Sequence, residues 1–406
     1  MKILYFGTVC ELNNYNELLK NCRSKPSVST IVFENALLDG FSKNGIDMEI
    51  HSFPMVPVFP HLKKIFFGRK KEKLPCGYEA VWLRTINIPV LKQISRSLDA
   101  RRILRSWGRE NTGRGIVFTY SIPPFLVKTI IRYSRKYSLK TVAIIPDLLR
   151  DMYINEKPDS PVTKLKNKYI EPAMKMQGEY DGYIYLTEAM RKIVAPDKPY
   201  IVMEGIASST EFKKVPSCEK SVPRAIMYAG MLHRKYGIIN LLDAFDGLAE
   251  KDTELWLFGD GSAVPEIKAR AEKNKRIRYF GMLDHDKIIE YERKSTLIVN
   301  PRDPDDEFTA YSFPSKTIEY MLSGTPLLTT KLKGIPDEYF NYVFSVEDNS
   351  CESLLTAIEK VLSRSPDELK AVAESAAEFI AENKNSRTQA AKIKLFLEEV
   401  QLDVKN

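Results

Sequence analysis

The chain has 406 residues, 44% hydrophobic and 28% charged. That is an ordinary globular balance, enough for two domains of roughly 150–200 residues with sizeable cores. No run approaches the roughly 18 apolar residues of a membrane-spanning helix, and five scattered cysteines without a C-x-x-C pair argue against a zinc site or a disulfide framework and for a reducing cytosol. Charge is unevenly spread. Residues 1–203 hold 33 Lys and Arg against 19 Asp and Glu, a net +14, while residues 204–406 hold 28 against 34, a net −6. The basic first half is expected to meet an anionic surface, a membrane or a nucleic acid, unless it is simply a solvated basic face.

In chain order, the opening MKILYFGTVCELNN reads as a strand rather than a signal peptide, since it lacks an apolar stretch with a small-residue cleavage site. Strands are predicted at 2–7, 46–53, 78–84, 115–120, 140–145 and 181–186, with helices at 29–44, 89–107, 123–137, 160–178 and 187–194 between them. Strand runs apolar on both faces and separated by helices predict a parallel sheet covered on both sides. The polar, proline-marked stretch 208–224 reads as a linker. A second α/β unit then follows, with strands at 224–230, 254–260, 277–281, 295–300, 326–330 and 342–346. Its helices are placed at 237–250, 264–274, 284–294, 315–323 and 350–383. The expected fold is therefore α/β, two doubly wound Rossmann-like domains at 1–205 and 206–384, with a C-terminal helix of about 385–406 returning to the first. Ligands of open parallel sheets sit at the carboxyl ends of strands, so a cleft fed by both domains is expected.

The second half carries the chemistry. In FPSKTIEYMLSGTPLLTT (313–330) Pro314 and Ser315 open a short helix and Gly324 closes it. Lys316 stands at the helix start, where backbone N–H groups already favour a phosphate, and Glu319 lies one turn on along the same face. A lysine for phosphates beside a carboxylate for sugar hydroxyls suits a nucleotide-sugar; the alternative is a solvated Lys–Glu pair. Three strand-to-glycine turns precede it. MYAGMLHRKYG (227–237) offers Gly230 for close backbone approach, with Arg234 and Lys235 for a diphosphate. LWLFGDGS contributes Gly259, and IRYFGMLDHD contributes Gly281, Met282 and Leu283 to lie along a base.

On these motifs the chain resembles the retaining GT-B glycosyltransferases of glycosyltransferase family 4, as in bacterial capsule, exopolysaccharide and O-antigen assembly. The likeness is strong over about 222–346 and weaker before it. It implies a nucleotide-sugar donor held by the second domain and an acceptor held by the first, with no metal and no cofactor. A UDP-sugar is expected in preference to a GDP-sugar. The family's ribose-binding glutamate matches Glu319, and its diphosphate-neutralising cations match Arg234 and Lys235, although Met231 replaces the usual arginine. The first glutamate of the family's Glu-x7-Glu motif is Tyr311 here, which cannot carry a negative charge near neutral pH. Tyr311, Ser312, Phe313, Ser315 and Lys316 are the remaining expected donor contacts. Lys235 and Lys316 are expected to stabilise the leaving diphosphate, while the donor phosphate itself takes the acceptor proton.

For the acceptor side the expected residues are Gly7 and Thr8 after the first strand and Asp147 after the strand 140–145, where family members often carry a histidine. Asp147 is expected to orient the acceptor or donor sugar, the alternative being a helix cap. In PVFPHLKKIFFGRKKEKLP (57–75), Phe66 and Phe67 beside Lys70 and Lys71 are expected to face an anionic membrane. The segment 163–176 is a second basic helix candidate. No recognition module for nucleic acid accompanies these residues. The sequence therefore predicts a cytoplasmic enzyme, peripherally bound to the inner membrane, acting on a lipid-linked or oligosaccharide acceptor. The alternatives are a nucleotide-sugar-binding partner subunit with little activity of its own, which Tyr311 motivates, or a sugar-nucleotide epimerase.

Overall fold

Every long apolar run becomes a strand of one of two parallel sheets in the computed structural model, which describes residues 1–20, 22, 28–120, 123–148, 172, 175–207 and 219–402. The chain divides into two compact units, Met1–Ile206 with Ser386–Asn406, and Ala207–Asn385.

In the first unit the strands are β1 (Lys2–Gly7), β2 (Met48–Ser52), β3 (Phe66–Phe67), β4 (Lys71–Lys73), β5 (Glu79–Trp82), β6 (Thr85–Ile86), β7 (Gly115–Tyr120), β8 (Lys140–Ile145), β9 (Gly182–Tyr185) and β10 (Tyr200–Val202). Eight of them form one sheet in the order β10-β9-β8-β7-β1-β2-β5-β4. Only β4 runs antiparallel, on the edge beside β5, and β3 pairs antiparallel with β6 as a separate two-stranded ribbon. The helices are α1 (Leu12–Leu18), α2 (Ser29–Lys43), α3 (Leu91–Glu110), α4 (Pro124–Lys136) and α5 (Ala189–Val194). Strand side chains that are buried on both faces, such as all six of GIVFTY, require helices on both sides of the sheet.

In the second unit the strands β11 (Arg224–Ala229), β12 (Thr253–Phe258), β13 (Ile277–Gly281), β14 (Leu297–Asn300), β15 (Leu327–Thr330) and β16 (Phe344–Val346) are all parallel, in the order β13-β12-β11-β14-β15-β16. Counted from β11 this is 3-2-1-4-5-6, the doubly wound order whose direction reverses between β11 and β14. Around it lie α6 (Ile238–Gly247), α7 (Val264–Lys273), α8 (His285–Lys294), α9 (Glu307–Ala310), α10 (Lys316–Leu322), α11 (Cys351–Leu362) and α12 (Pro366–Asn383). Helix α13 (Ser386–Leu402) belongs to the first unit. It packs Ile393, Phe396, Leu397 and Val400 into the core of β1, β7 and β8.

Several expectations change. The single helix expected over 350–383 is two, because Ser365 caps a new helix through a capping box with Glu368 and Pro366 stands in its first turn. Phe67 does not face a membrane: it is 5% exposed and packs against Trp82 in a core with Cys10, Tyr15 and Leu62, because neighbouring residues of a strand point to opposite sides. Phe66, one residue away, is 60% exposed. Lys70 and Lys71 are already paired: Lys70 with Glu72 at 3.1 Å, two residues on, and Lys71 with Glu79 at 2.8 Å, which the edge pairing of β4 with β5 brings alongside. The helix expected over 160–178 and the basic stretch 163–176 fall almost wholly outside the described residues, as does 208–218 of the linker. Among the described residues no helix is long and apolar enough to cross a membrane.

Candidate active site

At the reversal point of the second sheet the chain builds a cavity from three segments. The end of β11 supplies Ala229, Gly230 and Met231; the end of β14 supplies Asn300 and Arg302; the start of α10 supplies Ser315, Lys316 and Thr317. The Tyr320 hydroxyl donates to the Ala229 carbonyl, which fixes α10 against β11 and so places Lys316 over the Gly230 turn. Two cations, Lys316 and Arg302, line one small cavity, an arrangement that suits a diphosphate. Arg302 was missed in the sequence, where PRDPDDE reads as a solvated charge run; its guanidinium stacks over the Tyr236 ring at 4.7 Å.

The glycine turns hold one another. Gly230 N–H donates to Phe258 O at 3.0 Å and Gly259 N–H to Gly281 O at 2.8 Å. Gly259 has φ +126°, and a Cβ there would overlap the Gly230 carbonyl oxygen at 1.8 Å. That glycine is therefore required by packing between turns. Met282 is exposed and Leu283 half-buried against the core beyond Gly281.

Of the other expected donor contacts, Ser315 is exposed and makes no cap hydrogen bond. Tyr311 and Ser312 lie half-buried in the turn before α10. Phe313 is a correction: it is 6% exposed and packs on Tyr339 in the core, because the turn directs its ring inward. Arg234 lies outside the cavity lining, its guanidinium bound to Glu266 at 2.5 Å. Lys235 stands over the rings of Tyr236 and Phe308, at 5.4 and 5.7 Å.

Glu319 is partly exposed and faces two bases, Lys316 Nζ at 3.3 Å and His285 Nδ1 at 3.8 Å. Behind it sits Glu292 of α8, fully buried. Neither Glu292 oxygen meets an N–H or O–H donor; the group within reach is the Glu319 carboxyl. Two carboxylates pair only through a proton held by one of them. Burial first, then the Glu319 charge, push Glu292 up to about 9, against the pull of Lys316 and Arg293. Near neutral pH Glu292 is thus a neutral acid, able to donate to Glu319 and hold it beside Lys316. Sequence reasoning missed it, since YERK reads as a solvated helix face.

The first sheet has the same reversal, between β1 and β7. There the turn after β1 wraps a buried carboxylate, Glu34 of α2. Glu34 accepts from Thr8 N–H at 2.8 and 2.9 Å, from the Thr8 hydroxyl, and from Tyr5 Oη at 2.7 Å. Burial raises it to about 7 despite these bonds. A Cβ on Gly7 would strike Glu34 Oε1 at 1.9 Å, so Gly7 makes room for the carboxylate. Thr8 is a second correction: it is 1% exposed with its hydroxyl committed to Glu34, so its side chain does not face an acceptor. Asp147 is exposed just past β8. Its charge, like that of Glu34, acts on the buried Tyr120 phenol at the end of β7, so both carboxylates belong to this end of the sheet.

Residues 223–364 match the family model described as glycosyl transferases group 1. No curated protein sequence matches the chain. Solved structures similar to it include sucrose-phosphate synthase from Thermosynechococcus elongatus, at TM-score 0.62 and 14% identity, covering 98% of this chain and 99% of that one. Anabaena HepE in complex with UDP aligns at TM-score 0.60 and 13% identity over 98% and 100%. The lipopolysaccharide outer core galactosyltransferase WaaB aligns at TM-score 0.59 and 14% identity over 98% and 99%. At these identities the likeness speaks for the fold, and the family model speaks for the second unit. Together they show a chain of GT-B fold whose second unit matches a glycosyl transferase model over residues 223–364.

Proposed function

We propose that the chain transfers a sugar, with retention of anomeric configuration, from a UDP-sugar to a glycan or lipid-linked saccharide in polysaccharide assembly. Ala207–Asn385 takes the donor and the other unit takes the acceptor. The observation that carries this reading is the joining of Lys316 and Arg302 in one cavity at the reversal point of the second sheet, with Glu319 one helical turn away. The cations stabilise the leaving diphosphate and Glu319 accepts from the ribose hydroxyls. Lys235 adds charge from the adjoining turn. Asp147 orients the acceptor. The donor phosphate takes the acceptor proton, so no metal and no cofactor is needed. The similar HepE structure holds UDP, which favours UDP over GDP as the leaving group here. The enzyme works in the cytoplasm, at the inner face of the membrane, in keeping with the +14 of residues 1–203.

Incubation with a panel of nucleotide-sugars, with and without lipid-linked acceptor, tests this by nucleoside diphosphate release. Release from one UDP-sugar, raised by acceptor, is expected. Binding without release would favour the second reading, a partner subunit, which Tyr311 in place of the family glutamate motivates.

A further inference from the structure

The second half of helix α3 buries Ile103, Leu104 and Trp107 in the ordinary amphipathic way, but the first half is inverted. Its buried positions are charged: Lys92, Arg96 and Asp99 are each under 9% exposed. All three are satisfied. Lys92 donates to the Val56 carbonyl, Arg96 to the Pro54 carbonyl at 2.9 Å and the Thr85 hydroxyl at 3.2 Å, and Asp99 accepts from Arg69 and from Arg84 N–H, both at 3.0 Å. The solvent face of that first half is aliphatic. Leu91, Ile94 and Leu98 recur at helical spacing in the exposed set, and Val90, 66% exposed, precedes them. The β3–β6 ribbon extends this surface. Phe66 stands opposite Ile86 in register, both exposed, and Ile86 N–H donates to Ser95 Oγ at 2.9 Å, fastening the ribbon to α3. Phe66, Ile86 and Leu98 line one groove together with Arg84, Arg101, Arg102 and Arg105. Burying three charges while leaving this many large apolar side chains in water is unfavourable unless the face has an apolar partner.

We propose that the outer face of α3 with the β3–β6 ribbon is a membrane-docking surface, its aliphatic and aromatic side chains entering the interface of a bilayer whose anionic headgroups meet the surrounding arginines. Charge selects this occupant. Residues 84–105 carry six Lys and Arg and one Asp, and that Asp is held by Arg69. A second copy meeting this face about a twofold axis would set arginine against arginine. An anionic bilayer instead offers an apolar interior behind a layer of phosphates. The surface keeps Phe66 from the one expected around Phe66, Phe67, Lys70 and Lys71 but not the other three, since the Phe67 ring is in the core and both lysines are paired. The proposal deepens the membrane contact of the function proposed above and is independent of the donor chemistry.

The test is sedimentation of the full chain with vesicles of phosphatidylcholine alone or mixed with phosphatidylglycerol. Wild type should bind the anionic vesicles and little of the neutral ones. Arg101→Gln with Arg102→Gln should weaken binding by about fivefold per arginine. Ile94→Ser with Leu98→Ser should lose the binding that survives at high salt, where charge is screened. Lys70→Glu with Lys71→Glu should change binding far less than the arginine pair. Circular dichroism of each variant checks the fold, and diphosphate release from a UDP-sugar in free solution reads the donor site separately. Wild-type binding with both α3 variants unimpaired would overturn this surface while leaving a membrane contact elsewhere. Failure of wild type to bind anionic vesicles would overturn both. Self-association of wild type, abolished by Leu98→Ser, would make the face a contact between copies and overturn the proposal.

Discussion

Replacing Glu292 by glutamine removes an ionisable group from behind the ribose-binding candidate while keeping a hydrogen-bond donor there. The folded chain keeps the Glu292 proton until about pH 9, whereas the ordinary value is 4.5. Between those limits the folded state holds one proton more than the unfolded state. The stability tied to this group is therefore fully present below pH 4.5 and is lost as pH rises through 9, at about 1.4 kcal/mol per pH unit. By pH 7 the accumulated loss is about 3 kcal/mol. The groups facing Glu292 are Glu319, Lys316 and Tyr320 of α10 and Arg293 of its own helix, and His285 faces Glu319. None of these residues is changed by the substitution, so a pH-dependent difference between variant and wild type reports on the proton that Glu292 shares with Glu319. Glu292→Gln should differ from wild type by under about 1 kcal/mol near pH 5 and exceed it in urea unfolding by an amount that grows steadily to pH 8. A difference that stays constant from pH 5 to 8 would refute the shared proton.

Further outcomes are expected from the same geometry. Lys316→Ala should lower turnover by about 10–1,000-fold, the scale of losing one preorganised charge in the active site, as read by steady-state diphosphate release. Gly259→Ala should lower stability by about 1–3 kcal/mol from backbone strain alone, with the overlap on the Gly230 oxygen adding to it; thermal melting checks this. Phe67→Ala should cost about 3–5 kcal/mol as a core truncation, while Phe66→Ser at the exposed neighbour should fall within about 0.5 kcal/mol, both by urea unfolding.

Much of this architecture was legible in the sequence because parallel strands buried on both faces are continuous apolar runs. The strands at 2–7, 115–120, 140–145 and 277–281 occur where the residues predict them. The two- and three-residue strands β3, β4 and β6 are too short to show periodicity, and their absence from the sequence reading is why Phe67 was placed on the surface. The break at Ser365 was present as Ser-Pro-Asp-Glu, a capping-box signal inside a long helical pattern. Glu292 and Glu34 were unreadable for another reason. A lone glutamate on a helix is ordinarily solvated, and only the tertiary fold reveals that these two are buried, one against a second carboxylate and one under a glycine turn. The first half of helix α3 hides its inversion likewise, since spacing alone does not say which stripe faces the core.

Calorimetric titration of UDP into wild type and Glu319→Gln tests whether a nucleotide donor is held between β11, β14 and α10. Wild type should bind with a single site, and the variant, unchanged in circular dichroism, should bind at least about tenfold more weakly, the scale of one lost charged hydrogen bond. Equal affinity in the two proteins would take Glu319 out of the donor site, and no binding by wild type would take the donor out of this cavity.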